Sequence, residues 1–239
     1  MSSYEWVTRK IGFVTIGQSP RSDILEEVKP LLGPLEVIER GALDGLSGAE
    51  IEALAPAQGE PVYVSRLRDG SQVLLSREGI LPLLQKAVDS VADRVEMVVM
   101  LCTGSFPTLQ CPVPVLYPDR LLRDLVRAKV PPESTLGVLV PLPEQAATAQ
   151  ESWEAVIPGV RVASFSPYLE PAEELEKRAA LEECAVIVMD CLGYTREHEE
   201  MVRRLLKRPV ILARTVVARA VRQLVSWGGR GSELLSPLQ

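Results

Sequence analysis

One pattern occurs twice along the chain. Residues 11–20 read IGFVTIGQSP, and residues 136–145 read LGVLVPLPEQ. Each is a Gly, then an apolar run, then a polar turn with a Pro and a Gln. Residues 95–104 read VEMVVMLCTG, and residues 184–193 read CAVIVMDCLG. Met100 matches Met189, Cys102 matches Cys191, and Gly104 matches Gly193. Any two buried strands resemble each other. Two matched pairs in the same order, each with its Cys in the same place, point to a duplicated unit. The first copy is the longer: Gly12 to Cys102 spans 90 residues, and Gly137 to Cys191 spans 54. The segment from Gly41 to Ser76 supplies the excess as an insertion. Its Arg68-Asp69-Gly70-Ser71 stretch, between apolar runs at 62–67 and 72–75, reads as a hairpin.

Short β-branched runs alternate with helical patterns along the rest of the chain. Strands are expected at 10–16, 35–39, 95–101, 135–140, 160–164, 185–190 and 210–213. Continuous apolar runs such as VEMVVML suit parallel sheets covered on both faces. Helices are expected from about Pro20 to Leu32, then at 77–92, 119–128, 143–156, 172–183, 196–206 and 215–226. The tail after Gly228 is expected to fray. Alternating strand and helix gives an α/β fold with parallel sheets. The duplication makes it two pseudo-symmetric lobes, each a short parallel sheet flanked by helices, with a hairpin insertion in the first.

Composition narrows the function. Net charge is −6, and Glu197, Glu199 and Glu200 precede the densest basic cluster, Arg203, Arg204, Lys207 and Arg208. That is a solvated helix face, so nucleic acid is not an expected partner. No apolar run reaches the ~18 residues of a membrane span, and residues 1–10 lack a signal-peptide pattern. A cytoplasmic protein with four reduced thiols is expected. With a single His and no close Cys pair, no metal site is expected. Neither G-x-G-x-x-G nor the phosphate-binding G-x-x-x-x-G-K-[ST] pattern occurs, so nicotinamide, flavin and ATP lack their signals and no cofactor is expected.

Ligands of open α/β sheets gather beyond the carboxyl ends of the strands. Cys102 and Cys191 both sit there. If the two units face each other, the thiols enter one cleft from opposite sides. One can remove a proton from a substrate carbon and the other can return one to the opposite face. Nearby amides favour the thiolate. Cys111 and Cys184 fit packing roles better. The first turn is a second candidate. The hydroxyls of Thr15 and Ser19, the backbone at Gly17, and Gln18 are placed to hold a carboxylate, and Arg21 to hold a second one by its two-pronged guanidinium. A capped helix reads equally well there, with Pro20 in its first turn, Ser19 as N-cap and Asp23 near N3. His198 reads as a surface residue or a helper of Cys191. Strand alternation turns Asp190 away from the side that Cys191 faces.

The stretches TIGQSPRSD (15–23), GALDGLS (41–47), SRLRDG (65–70), LCTGSFP (101–107) and MDCLGYT (189–195) resemble the AroM family. That family resembles a branch of the aspartate/glutamate racemase superfamily, with hydantoin racemase, maleate isomerase and arylmalonate decarboxylase. The resemblance implies two lobes around a cleft, no cofactor, a homodimer, and a last helix packed back on the first lobe. The lobes would be residues 1–115 with 215–239, and residues 116–214. Cys102 and Cys191 fall where the superfamily has its catalytic thiols. Thr103 and Gly104 stand where Asn-Thr is usual, and Leu192 with Gly193 where Thr is usual. Gln145, Gly193 and Tyr194 complete the expected substrate-binding set, with the second turn 141–145 as its second loop. The activity implied is cofactor-independent racemization, epimerization or isomerization of a small carboxylate. The alternatives are a one-thiol decarboxylase or lyase, and a non-catalytic metabolite-binding regulator.

Overall fold

The computed structural model describes residues 9–168 and 181–228. Ten strands lie within them. β1 (Arg9–Thr15), β2 (Leu35–Gly41), β5 (Met97–Met100) and β6 (Val115–Leu116) form one parallel sheet in the order β2-β1-β5-β6. β7 (Thr135–Val140), β8 (Gly159–Ser164), β9 (Val186–Met189) and β10 (Val210–Leu212) form another in the order β10-β9-β7-β8. Read from the other edge, the second order is the first one repeated. The register repeats as well: Gly12 faces Val98, and Gly137 faces Ile187. Just past the strands, Leu101 N–H donates to Val14 O and Asp190 N–H donates to Leu139 O. The sequence echo is therefore a structural duplication, and the fold is the expected α/β pair of lobes.

The helices are α1 (Ser22–Leu32), α2 (Gly48–Glu52), α3 (Arg77–Ala92), α4 (Pro118–Lys129), α5 (Ala146–Glu154), α6 (Arg196–Leu206) and α7 (Ala213–Gly228). α2 and the two-residue β6 are too short to leave a periodic signal and were not expected. The helix expected at 172–183 falls mostly outside the described residues, as does the tail after Gly228. Between β2 and α3, β3 (Val62–Arg66) and β4 (Gln72–Ser76) form the expected antiparallel hairpin. Gly70 lies in its turn with φ +90°, a region that favours glycine.

Strand alternation sorts the core. Ile11, Phe13, Val99 and Leu101 of the first unit share one cluster with Leu136, Val138, Val186 and Val188 of the second. The opposite faces belong to separate clusters: Val14, Val98 and Met100 in one, Leu139, Ile187 and Met189 in the other. Each sheet is thus buried on both sides, and the shared cluster binds the units together. α7 supplies Val217, Ala218 and Val221 to that cluster beside Ile24 and Val28 of α1, so the last helix does lie against the first unit.

Arg214 at the start of α7 is 1% exposed. Its guanidinium donates to Leu192 O at 2.7 and 3.0 Å, to Gly193 O at 3.0 Å and to Asp23 O at 3.0 Å. It also pairs with Glu27 at 3.0 Å. The turn after β9 is thereby tied to α1 of the other unit. Arg214→Leu is expected to cost about 3 kcal/mol, because three buried carbonyls lose a charged donor. The exposed Arg222→Leu on the same helix is expected to stay within about 0.5 kcal/mol. Urea unfolding measures both.

Candidate active site

β5 and β9 end at matching points, and the chain then turns sharply at Cys102-Thr103-Gly104 and Cys191-Leu192-Gly193. The Gly104 N–H donates to the Cys102 sulfur at 3.3 Å, and the Gly193 N–H donates to the Cys191 sulfur at 3.3 Å. Both turns are tight because glycine leaves room: a Cβ on Gly104 would press on the Tyr63 ring, and one on Gly193 would collide with the Tyr168 hydroxyl. The Thr103 hydroxyl donates to Asp190 O at 3.0 Å, which clamps one cysteine turn to the other.

Both thiols line one cavity of about 150 Å³. Val62 and Val64 of β3, with Val140, Pro141, Ala149 and Trp153, make an apolar wall. Thr103, Gly104, Ser105, Gln145, Thr148 and Asp190 bring polar groups, and the exposed Arg77 and Glu144 also line it. Gln145 holds the hairpin in place by donating to Val62 O at 3.3 Å. Arg123 is engaged by Ser152, through its carbonyl and its hydroxyl, and lies over the Trp153 ring at 5.1 Å. Of the residues singled out in the sequence, Cys102, Cys191, Thr103, Gly104 and Gln145 meet at this cavity.

The first turn does not join them. Thr15 is buried and its hydroxyl accepts the Gly17 N–H at 3.2 Å. A Cβ on Gly17 would run into Ser65 and the Arg66 carbonyl, so that glycine packs on the hairpin. Gln18 accepts the Arg68 N–H at 2.9 Å. α1 begins at Ser22 with Arg21 as its N-cap residue. Pro20 therefore precedes the helix, and Ser19 caps nothing. The turn does hold a carboxylate, but the protein's own: Asp44 accepts from Ser19 N–H at 2.9 Å, from Ser19 Oγ at 2.5 Å and from Gly41 N–H at 2.8 Å. Arg21 does make a two-pronged carboxylate pair, with Asp23 at 2.7 and 2.8 Å, and is 3% exposed. Although burial works against it, that pairing holds the Asp23 carboxyl below its ordinary range.

Three other expectations are corrected. Tyr194 is fully buried and its hydroxyl donates to Phe165 O at 2.6 Å, away from the cavity. His198 is a half-buried cap of α6: Nδ1 accepts the Thr195 N–H at 3.0 Å, and the ring stands edge-on to Phe165 and Tyr194. Burial and Arg214 push its imidazole below the ordinary value. Asp190 lines the cavity together with Cys191; β9 has already ended at Met189, so alternation no longer applies. Trp153 Nε1 donates to Asp190 Oδ2 at 2.8 Å, while buried Oδ1 finds no partner among the described residues. Burial raises this carboxyl above its usual range. Cys184 is buried in its lobe's core and Cys111 packs at the edge of the other, as expected.

A family model described as AroM protein matches residues 11–225. The chain belongs to the AroM protein family. Curated protein sequences contain no match to it. Among solved structures, this AroM chain is similar to allantoin racemase from Pseudomonas fluorescens, with a TM-score of 0.56, 16% identity and 92% of each chain covered. Glutamate racemase from Francisella tularensis, in complex with D-glutamate, gives 0.57 and 14%, covering 93% of this chain and 82% of that one. Maleate isomerase from Pseudomonas putida gives 0.58 and 12%, covering 92% and 93%. At such identities the likeness is one of fold, and it places the AroM chain in the two-lobed racemase-like architecture.

Burial pushes the Cys102 thiol up to about 12, and the Cys191 sulfur adds to the rise against the Gly104 amide and Arg21. Burial raises Cys191 too, against the Gly193 amide, Arg21 and the Tyr168 hydroxyl. The expected acidification by amides is thus outweighed by desolvation. Both thiols are then protonated at pH 7 in the unliganded protein. Since the thiolate is the reactive form, iodoacetamide labelling of Cys102 is expected to be slow at pH 7. It should rise about tenfold per pH unit up to pH 10, as read cysteine by cysteine by mass spectrometry.

Proposed function

We propose that this AroM family member catalyses cofactor-independent racemization, epimerization or isomerization of a small carboxylate, with Cys102 and Cys191 as its acid/base pair. One observation carries the reading: two equivalent turns, each with a glycine N–H on a sulfur, present their thiols to the same small cavity. Two proton carriers approaching one carbon from different sides are what inversion without a cofactor requires.

The chemistry follows from the residues. One thiol first gives up its proton to solvent, and the thiolate so formed takes the proton from the carbon next to the substrate's carboxylate. The electron pair moves into that carboxylate and forms an enediolate. The thiol of the other cysteine then gives its proton to the opposite face of the carbon. Charge is conserved: one thiolate is replaced by the other. Arg77 at the cavity is the cation available to the carboxylate, since Arg21 and Arg123 are engaged. The apolar wall of Val62, Val64 and Val140 keeps water from the carbanion. The cavity's size favours a substrate of a few heavy atoms. The fold neighbours, an allantoin racemase, a glutamate racemase and a maleate isomerase, support the same reaction class.

A one-thiol decarboxylase or lyase is the second reading, favoured by the unequal surroundings of the two sulfurs. There Cys102→Ser would be mild and Cys191→Ser severe. The test is exchange of carbon-bound hydrogen with D₂O, followed by proton NMR over a panel of small dicarboxylates, hydantoins and shikimate-type acids. The two-thiol reaction is expected to slow by about 10²–10⁴ in either Cys102→Ala or Cys191→Ala. Full turnover of an accepted substrate by both variants would end the reading.

A further inference from the structure

A tyrosine stands over the glycine of each cysteine turn, Tyr63 from the inserted hairpin and Tyr168 from the segment after β8, and the two hydroxyls do different things. Tyr63 packs its ring on Gly104, and its hydroxyl donates to Ser105 O at 2.6 Å. Its proton is directed away from Cys102. Tyr168 brings the hydroxyl itself against Gly193, whose N–H meets the Cys191 sulfur at 3.3 Å. Arg21 Nη2 lies 3.5 Å from the same oxygen.

A phenol has one proton to give and two lone pairs to receive. A guanidinium only donates, so Arg21 occupies a lone pair of the Tyr168 oxygen. The phenolic proton is left for the sulfur, and donation from Arg21 polarises it toward that acceptor. Arg21 is held for this by its two bonds to Asp23 and by its Nη1, which stands 3.4 Å from Thr15 Oγ1 and 3.5 Å from Ser65 Oγ. Arg66 lies over the Tyr168 ring at 5.8 Å. On the other side the Tyr63 hydroxyl is spent on Ser105 O, and among the described residues the cation beside it is the exposed Arg77 at the cavity.

We propose that Tyr168 and Arg21 give the two thiols unequal roles, stabilising a negative charge on the Cys191 sulfur and leaving Cys102 as the proton donor. Tyr168 and Arg21 act here as positioning residues, through Cys191. Other charges around Cys191 do not cancel the bias. Asp23 shares Arg21 Nη2 with the Tyr168 oxygen and offsets part of the Arg21 charge. Asp190, next in the chain, opposes a thiolate, and its carboxyl is itself shifted by burial toward the neutral form. Arg214 adds positive charge from α7 on the Leu192 and Gly193 carbonyls. Across the cavity, burial and the Cys191 sulfur both disfavour a negative charge on Cys102.

The words base and acid rest on the proposed reaction, but the order of the two thiols can be measured without turnover. Cys102→Ser and Cys191→Ser leave one site cysteine each, which removes the coupling between their titrations. Iodoacetamide labelling across pH then gives each midpoint by site-resolved mass spectrometry. Cys191 is expected to titrate below Cys102. Tyr168→Phe keeps the ring and removes the hydroxyl. It is expected to lower Cys191 labelling three- to tenfold at a fixed pH below the midpoint, with Cys102 labelling unchanged. Tyr63→Phe is expected to leave Cys102 labelling unchanged. Cys102 titrating first, or an unaltered Cys191 profile in Tyr168→Phe, would overturn the proposal. A protein that exchanges no substrate hydrogen yet keeps the expected order would instead sink the two-thiol reaction.

Discussion

The two sheets meet through a core that neither could complete alone. Each sheet turns one face toward its own cluster and the other toward a shared one, where Phe13 and Val99 lie with Val138 and Val188. Burial of that shared surface fixes how the carboxyl ends of β5 and β9 approach one another. Apolar burial of this kind is favourable by ~25 cal/mol per Å². Polar ties then sharpen the approach. Arg214 links the Cys191 turn to α1, and the Thr103 hydroxyl links the Cys102 turn to the Asp190 carbonyl. Position of the sulfurs is thus a consequence of packing, and their chemistry is a consequence of what the packing excludes. Removing water raises both thiols, and the few donors left near each sulfur decide how the two differ.

Much of this was legible in the amino-acid order. The repeat of Gly, strand, Met and Cys marked the duplication, since a buried parallel strand needs an uninterrupted apolar run and shows it. The hairpin announced itself through Asp69-Gly70, and α3 and α6 through the helical patterns between apolar runs. The two cysteines that line the cavity were the two in the matched positions. Thr103, Gly104 and Gln145, which the family resemblance pointed to, line the same cavity.

The rest was hidden for physical reasons. Thr15, Ser19 and Gln18 look like an anion site because unpaired donors cluster there. The carboxylate that Ser19 holds, Asp44, comes from the insertion, and no local rule pairs residues 25 apart. Arg21 looked available for a substrate, yet a buried guanidinium needs a carboxylate, and Asp23 is two residues away. Tyr194 follows the second cysteine turn, but strand and turn geometry send its ring into the core. Asp190 was misread because alternation was extended one residue beyond the strand. Tyr168 and Arg214 carried no signal at all: each acts through contacts to segments distant in the chain.

Asp44 has one more implication. A duplicated architecture begins with two equivalent seats for a negatively charged guest, one at each amino-proximal turn. Here the insertion has delivered a resident occupant to the first seat, and Arg68 leans over it from the hairpin. The first seat is thus filled from within by a carboxylate of the protein itself, and the twofold likeness of the two units is broken at their amino-proximal turns.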